Sequence, residues 1–343
     1  MKALVLEKMY SLSMKDVPIP DCPEGWALVK VISVSVCGSD FHSFKGGNAL
    51  LTYPRIMGHE VCGIIESING NSESFSIGDK VILMPYLSCG HCKACKKGKT
   101  NCCSSLSVYG VHREGAMAEF YAAPLDHLIK VAPDMSSHVA ALIEPLAIST
   151  HAVSRGEIKI GDVVLVVGAG PIGIGAALMA RIDGATVLVS DTNEARRRYA
   201  MDAFGFEHVL DPLDPAYASQ ILLLTSEEGP DVIIDSTGNN RSMENDVNFL
   251  SNGGRMVFVG ISNKPIALDG TQFHKRETEL FDSRAAKLQD FEKVIRCIES
   301  GKLDPLKMVT HRAVFSESKE AFVQWNELGG DVFKAVIDMT EKK

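Results

Sequence analysis

The chain has 343 residues, of which 45% are hydrophobic and 23% charged, and its formal net charge is -8. This length is enough for about two domains, and the acidic balance argues against a nucleic-acid partner. No apolar run of about 18 residues occurs, so no transmembrane helix is predicted. The apolar residues 1–6 are interpreted as a first strand and not as a signal peptide. We therefore expect a cytoplasmic protein.

Two patterns of secondary structure divide the sequence. The first third contains many short β segments, such as 28–32 and 61–65, separated by Gly and Pro. After about residue 145 apolar strands alternate with helices, which predicts an α/β fold with a doubly wound parallel sheet. The predicted elements are strand 163–167, helix 171–182, strand 186–189, helix 193–204, strand 231–235, helix 243–250, strand 255–259, helix 289–300 and β segments 313–315 and 335–339.

Three separated motifs carry possible metal ligands. Cys37 opens Cys-Gly-Ser-Asp-Phe-His, His59 and Glu60 follow Gly58, and Glu144 precedes Pro145 at the change of pattern. Each residue alone is commonly structural. Together they supply the sulfur, nitrogen and oxygen donors of a catalytic zinc site, which keeps one position open.

Cysteines are concentrated in one short segment, where five of the nine lie between Cys89 and Cys103. In a cytosolic chain such clustering favours a metal over disulfides. The spacing Cys-x-x-Cys-x-x-Cys from Cys89 through Cys92 to Cys95 suits a closed site of four zinc thiolates. The fourth ligand is either Cys102 or Cys103, and the Cys-Pro ending of iron–sulfur motifs is absent.

Residues 168–173 read Gly-Ala-Gly-Pro-Ile-Gly, directly after a predicted strand and opening a predicted helix. Gly168 permits the tight turn, Gly170 the approach of a pyrophosphate, and Gly173 close packing of helix on strand. The diphosphate would sit on the N–H groups at the helix N-terminus, beside Pro171 and Ile172. Asp191 ends the next strand about 20 residues later, where a carboxylate accepts bonds from ribose hydroxyls and repels a 2′-phosphate. The motif predicts NAD rather than NADP, although residues 196–198 are arginines that can serve a 2′-phosphate.

The order of these motifs resembles a known family over essentially the whole chain. The motifs are Cys37-Gly38-Ser39-Asp40-x-His42, Gly58-His59-Glu60-x-x-Gly63, the Cys89/Cys92/Cys95/Cys103 lobe, Glu144-Pro145 and Gly168–Gly173. They resemble the zinc-containing medium-chain dehydrogenase/reductases, in the polyol (sorbitol) dehydrogenase branch. The resemblance implies a GroES-like β-rich catalytic domain at 1–150, to which 290–343 return, and a Rossmann NAD-binding domain at 151–289. The substrate would then bind in the cleft between the domains.

The same resemblance implies roles for individual residues. Cys37 and His59 would bind the catalytic zinc, and Glu60 and Glu144 would bind it directly or through water. Ser39 would contact the substrate oxygen, His42 would belong to a proton relay, and Cys103 would complete the structural zinc site. Further cofactor-binding candidates are Arg196, Thr237, Gly238, Val259, Gly260 and Arg284. Members of the family are dimers or tetramers, so a homo-oligomer is expected, with residues 255–261 as the strand that pairs between subunits.

The substrate is suggested by short strings. Tyr53-Pro54-Arg55, Asn101-Cys102-Cys103, Gly110-Val111-His112 and Phe273-His274-Lys275 resemble the hexonate 5-dehydrogenases, which oxidise L-galactonate, L-gulonate or L-idonate. A sugar-acid carboxylate would need a cation, and the candidates are Arg55, Arg113, Lys275 and Arg276. The alternatives are a polyol, a polyol phosphate or L-threonine. A different class of function is an NAD-binding redox sensor without catalysis.

Overall fold

The computed structural model describes residues 1–340, and within it the chain divides into two units. The first unit is Met1–Glu144 together with the chain from Asp304 onward, and the second is Pro145–Leu303. The sequence placed these junctions at 150/151 and 289/290. The second junction lies later because the helix that contains Asp290 belongs to the second unit, where its carboxylate is 2.9 Å from Nδ1 of His151.

The strands form the sheets of the first unit and the central sheet of the second. In chain order they are β1 (Lys2–Lys8), β2 (Ser11–Asp16), β3 (Trp26–Val36), β4 (Arg55–Ile56), β5 (Glu60–Asn69), β6 (Lys80–Leu83), β7 (Tyr86–Leu87), β8 (Ser107–Val108), β9 (Phe120–Pro124), β10 (Leu128–Lys130), β11 (Val163–Val167), β12 (Thr186–Ser190), β13 (His208–Leu210), β14 (Val232–Asp235), β15 (Arg255–Phe258), β16 (Glu279–Asp282), β17 (Val309–Val314) and β18 (Lys334–Asp338).

The longer helices lie mainly in the second unit. In chain order the helices are α1 (Gly38–Phe44), α2 (Lys93–Lys96), α3 (Ser137–Ala141), α4 (Ile143–Arg155), α5 (Pro171–Ile182), α6 (Glu194–Phe204), α7 (Tyr217–Leu224), α8 (Asn240–Asp246), α9 (Gly270–Arg276), α10 (Leu288–Glu299) and α11 (Ser318–Leu328). None of the helices within residues 1–340 combines the length and the apolar character that crossing a bilayer requires.

The largest sheet of the first unit has seven strands in the order β10-β6-β5-β3-β18-β17, with β9 also paired to β3. β3 is antiparallel to both β5 and β18, and the register places Ser35 opposite Glu60 and Val36 opposite Ala335. The end of β3 therefore lies beside the starts of β5 and β18. This register brings Cys37, Glu60 and Lys334 to one place, although they are far apart in sequence.

The second unit is built on a parallel sheet of six strands in the order β13-β12-β11-β14-β15-β16. Val167 is level with Ser190 on one side and with Asp235 on the other, so the carboxyl ends of β11, β12 and β14 meet at one edge. The bounds of β11 and α5 are as predicted, because a continuous apolar run and a helix with Pro at its start are strong local signals.

The position of β15 corrects one expectation. The sequence proposed residues 255–261 as the strand that pairs between subunits, but β15 is hydrogen-bonded to β14 on one side and to β16 on the other. The outer strand on this side is β16, in which Glu279, Leu280 and Asp282 are exposed. β16 was not predicted, because its four residues, Glu-Leu-Phe-Asp, are too few to show a period and carry a charge at each end.

Candidate metal centres and cofactor site

Three potential metal ligands gather where β3 ends and β5 begins. Sγ of Cys37, a ring nitrogen of His59 and a carboxylate oxygen of Glu60 all lie within 4.8 Å of one another. His59 and Glu60 are buried, and Nδ1 of His59 is buried without a hydrogen-bond partner. Glu144 is buried too, but it lies outside this group of three. The donors fit a catalytic zinc site, which takes three protein ligands and leaves one position open.

The charges around this group also fit a bound cation. Burial alone would lower the pKa of His59, but the Cys37 sulfur and then the carboxylates of Asp40 and Glu144 outweigh it and raise that pKa well above its usual value. Burial and the nearby charge of Glu60 raise the pKa of Glu144 to about 7. A divalent ion here would supply the positive charge that these buried groups favour.

Two polar residues in this cluster were not found from the sequence. Nζ of Lys334, 4% exposed, lies 2.5 Å from Oε1 of Glu60, contacts Oε2 as well, and lies 3.2 Å from the carbonyl oxygen of Val36. The hydroxyl of Tyr86 donates to Oε1 of Glu144. Each glutamate thus has its own partner, a cation for Glu60 and a phenol for Glu144.

Helix α1 carries the two residues assigned to proton transfer. Ser39 is half-buried in its first turn, and His42 is exposed one turn later on the same face. The ring of His42 packs on Gly47, where an added Cβ would lie 2.1 Å from its Cε1. Asp40, between them, is buried and accepts a bond of 3.0 Å from the backbone N–H of Cys37. This bond fixes the turn that presents Cys37.

The second cluster consists of four thiols, and its members are Cys89, Cys92, Cys95 and Cys103. Their Sγ atoms lie within 4.8 Å of one another without a disulfide, at 3.4 Å for Cys92 and Cys95 and 4.0 Å for Cys89 and Cys95. Zinc–sulfur bonds of about 2.3 Å in a tetrahedron separate the sulfurs by about 3.8 Å. The backbone N–H groups of Cys89 and Ser105 donate to Sγ of Cys103 and lower the pKa of that thiol. The lobe therefore suits a closed zinc site.

The adjacent cysteines Cys102 and Cys103 give a matched pair of variants. Cys103 is 1% exposed and belongs to the thiol cluster, whereas Cys102 is exposed and outside it. We expect Cys103→Ala to lose one zinc per chain and to lower the thermal midpoint of unfolding, because a structural zinc contributes directly to folding. Cys102→Ala should keep both properties, as measured by metal analysis and calorimetry. Equal zinc loss in the two variants would contradict the assignment of Cys103.

The glycine-rich turn has the geometry that close approach of a ligand requires. Gly168 has a φ of +97° and donates its N–H to the carbonyl of Ser190 at 2.7 Å. A Cβ on Gly173 would lie 1.7 Å from the carbonyl oxygen of Gly168, so only glycine fits there. Gly170 precedes α5, and Pro171 is its first residue, with Ile172 next. The free N–H groups of this helix start can receive a diphosphate.

The remaining cofactor candidates surround this turn, with one exception. Oδ2 of Asp191 accepts the N–H of Ala169 at 2.8 Å, and Nη1 of Arg196 lies 3.9 Å from the same oxygen. Thr237 and Gly238 follow β14, and Val259 and Gly260 follow β15; a Cβ on Gly260 would lie 2.0 Å from the N atom of Gly238. The exception is Arg284, which is exposed and follows β16 at the outer edge of the sheet.

Three of the basic residues proposed for a substrate carboxylate have structural contacts instead. Arg55 forms an ion pair with Glu114 at 2.8 Å. Arg113 stacks on the rings of Trp26 and Tyr109. Nη1 of Arg276 donates to backbone carbonyls, at 2.8 Å for Asn248. The fourth, Lys275, is exposed on α9.

Comparison with known proteins places this architecture in a family. Residues 23–134 match the alcohol dehydrogenase GroES-like domain, and residues 171–300 match the zinc-binding dehydrogenase family. The chain is 40% identical over 337 residues to L-galactonate-5-dehydrogenase of Escherichia coli K12, covering 98% of each protein. The chain belongs to the zinc-binding alcohol dehydrogenases.

Two further relatives of this dehydrogenase are informative. It is 31% identical over 290 residues to 2-dehydro-3-deoxy-L-galactonate 5-dehydrogenase of Pseudoalteromonas atlantica, covering 84% of each chain. The structure of the Escherichia coli CFT073 alcohol dehydrogenase rspB, solved with NADH, superposes with a TM-score of 0.91 at 30% identity and covers 99% of each chain. The predicted α/β class, with a GroES-like and a Rossmann-type domain, is confirmed.

Proposed function

We propose that this dehydrogenase oxidises a secondary hydroxyl of a sugar acid, at C5 of a hexonate, with NAD as hydride acceptor. The observation that carries the proposal is the group of Cys37, His59 and Glu60, whose donor atoms lie together, in a chain that is 40% identical to an L-galactonate-5-dehydrogenase. The sequence leaves three alternative substrates, which are a polyol, a polyol phosphate and L-threonine.

We assign the catalytic zinc to Cys37, His59 and Glu60, because these three are the residues whose donor atoms lie together. Bound zinc would lower the pKa of a hydroxyl at its open position towards neutrality, which makes the alcohol a better hydride donor. Lys334 helps to keep Glu60 ionised: burial raises the pKa of that carboxyl, but the charge and hydrogen bond of Lys334 together with the charge of His59 outweigh burial and lower it. Glu144, tethered by Tyr86, would orient a water or the substrate hydroxyl.

The proton released from the alcohol needs a route to solvent, and α1 supplies one. Ser39 is half-buried at the start of the helix, so its hydroxyl can accept the proton while it passes on its own. His42 lies one turn further and is exposed. We propose that the proton passes from the alcohol to Ser39, then to His42 and then to bulk water.

Preference for NAD rests on Asp191. Its carboxylate is 8% exposed and is held at the glycine-rich turn by the N–H of Ala169. We expect Asp191→Ala to lower kcat/KM for NAD by about 10- to 150-fold, since a hydrogen bond to a charged group contributes about 1.5–3 kcal/mol. The same change should improve use of NADP, because the repelling charge is gone and Arg196 remains. Steady-state assays with both coenzymes test this, and an unchanged coenzyme ratio would contradict it.

The substrate assignment is tested by NADH absorbance with a panel of L-galactonate, L-gulonate, L-idonate, neutral polyols, a polyol phosphate and L-threonine. We expect the highest kcat/KM for a hexonate. A higher kcat/KM for a polyol or for L-threonine would change the assigned substrate, but the assigned reaction, oxidation of an alcohol with NAD, would remain. NADH binding without turnover of any alcohol would instead favour the redox sensor.

We also propose a homo-oligomer, as the family resemblance implies. The outer strand β16 supports this, because three of its four residues are exposed and a free strand edge can pair with another copy. Light scattering of the purified protein tests it, and a monomer at assay concentration would contradict it.

A further inference from the structure

Asp235 ties together the turns assigned to the cofactor. Its Oδ1 accepts the backbone N–H and the hydroxyl of Thr237, both at 2.7 Å. Its carbonyl oxygen accepts the N–H of Val259 at 2.8 Å and of Gly260 at 3.2 Å. The side chain is fully buried at the end of β14. Asp235 therefore fixes Thr237 and Gly238 against Val259 and Gly260.

A second carboxyl group faces Asp235 across one hydroxyl. Asp246 ends α8 and is 3% exposed. Oγ of Ser242 lies 2.9 Å from Oδ2 of Asp235 and 2.9 Å from Oδ2 of Asp246. A serine hydroxyl has one hydrogen and can donate to only one of the two. The other contact is a hydrogen bond only if that carboxyl is itself protonated and donates to Oγ.

Asp246 is the group that carries this proton. Oδ1 of Asp235 is already the acceptor of two hydrogen bonds from Thr237. Burial, reinforced by the charge of Asp235, raises the pKa of Asp246 to about 8. The protonated carboxyl of Asp246 thus donates to Oγ of Ser242, and the Ser242 hydroxyl donates to Oδ2 of Asp235.

The surroundings offer no competing countercharge among the described residues. Tyr217 of α7 faces the pair, and burial raises the pKa of its hydroxyl, which bonds to Ser190 at 3.1 Å. Arg276 of α9 is near the chain after α8, but its Nη1 donates to the carbonyls of Val247, Asn248 and Leu250. Arg255 and Lys293 of the same unit form their ion pairs with other carboxylates, those of Asp162 and Asp183.

We propose that Asp246 is a positioning residue for the dinucleotide: its neutral carboxyl holds Ser242 and Asp235, and loss of its proton releases the turn at Thr237–Gly238. Two carboxylates facing one hydroxyl repel each other. The backbone of Asp235 is held in the sheet, so the repulsion would displace its side chain, which holds Thr237. This inference rests on the proposed function, since it requires that the turn contacts NAD.

The test measures NADH affinity by fluorescence titration of the full-length, zinc-loaded protein from about pH 6.5 to about pH 9.5. For the wild type, Kd should rise by up to about tenfold per pH unit above the pKa of Asp246, because binding then requires uptake of a proton. Asp246→Asn keeps a donor to Ser242 without a titrating proton, so its Kd should stay flat. Asp246→Ala should bind weakly at every pH.

Asp202→Asn is the matched control, because it removes an exposed carboxylate from α6 and should follow the wild-type curve. The inference is overturned if the wild type shows no rise in Kd, or if Asp246→Asn rises as the wild type does. These results leave the dehydrogenase assignment intact. Failure of the wild type to bind NADH at any pH would instead overturn the proposed function together with this inference. If Asp246→Ala does not fold, the comparison of Kd between Asp246→Asn and the wild type still tests the inference.

Discussion

Replacing Cys37 with alanine should lower kcat by at least about 10³-fold while NADH affinity stays near that of the wild type. Cys37 is one of three ligands whose donor atoms lie within 4.8 Å, and metal stabilisation of developing charge contributes several kcal/mol to the rate. The glycine-rich turn belongs to the other unit, so the affinity for NADH should be kept. Steady-state rates, NADH fluorescence titration and zinc content together measure the effect.

The control for this variant is Cys22→Ala, which removes a half-buried free thiol outside both cysteine-containing clusters. It should retain two zinc ions per chain and wild-type kcat. If Cys37→Ala kept full turnover, or if it lost the four-thiol zinc instead, the assignment of the catalytic metal would be wrong.

Replacing Lys334 with methionine should destabilise the metal-free first unit by about 3–5 kcal/mol, because it leaves Glu60 as an uncompensated buried charge. Lys334 and Glu60 are 4% and 0% exposed, and both carboxylate oxygens contact Nζ. Urea unfolding after chelation measures the free energy. Trp26 and Trp325 are the chain's two tryptophans, and both lie in the first unit, so their fluorescence reports on it.

The pH dependence of this loss has a definite sign. In the wild type Lys334 lowers the pKa of Glu60, so the pair stabilises above the unfolded value of 4.5 and the benefit disappears as the pH falls. Without Lys334, burial raises that pKa, the folded state binds the extra proton, and stability falls as the pH rises. The difference between variant and wild type should therefore grow from acidic to neutral pH.

The double variant Lys334→Met/Glu60→Gln should recover part of the stability, because no buried charge remains without a partner. Lys334→Arg keeps the cation and serves as the conservative comparison. Equal stability of Lys334→Met and wild type at neutral pH would show that Glu60 does not depend on this lysine.

Local patterns in the sequence were sufficient for several parts of the structure. The cysteine spacing identifies Cys89, Cys92 and Cys95 as one cluster, since a short loop must bring its own residues together, whereas the choice of Cys103 over Cys102 needed the family resemblance. The turn from Gly168 to Gly173 is equally local, because steric limits at each glycine are set by a few neighbouring atoms. The assignment of Cys37, His59, Glu60 and Glu144 to one site needed the family resemblance in addition.

Contacts between segments that are distant in sequence could not be predicted from local sequence patterns. Lys334 is 274 residues from Glu60, and only the register between β3 and β18 brings them together. A buried lysine within an apolar segment carries no signal of its partner, and register is a property of the assembled sheet. The pair Asp235 and Asp246 is close in sequence and was missed for a different reason, because the turn from β14 into α8 that brings the two carboxyl groups together was not predicted.

The path of the chain through the large sheet has a consequence for biosynthesis. β18 lies between β3 and β17, so the sheet that begins near residue 26 is completed by residues 334–338. The intervening unit is continuous in sequence, so it can fold on the ribosome before β17 and β18, the last two strands of the large sheet, have been synthesised. The ammonium group that neutralises Glu60 arrives with β18. We therefore expect that a nascent chain acquires its dinucleotide-binding half first, and that its catalytic metal pocket matures only after residue 338 has left the exit tunnel.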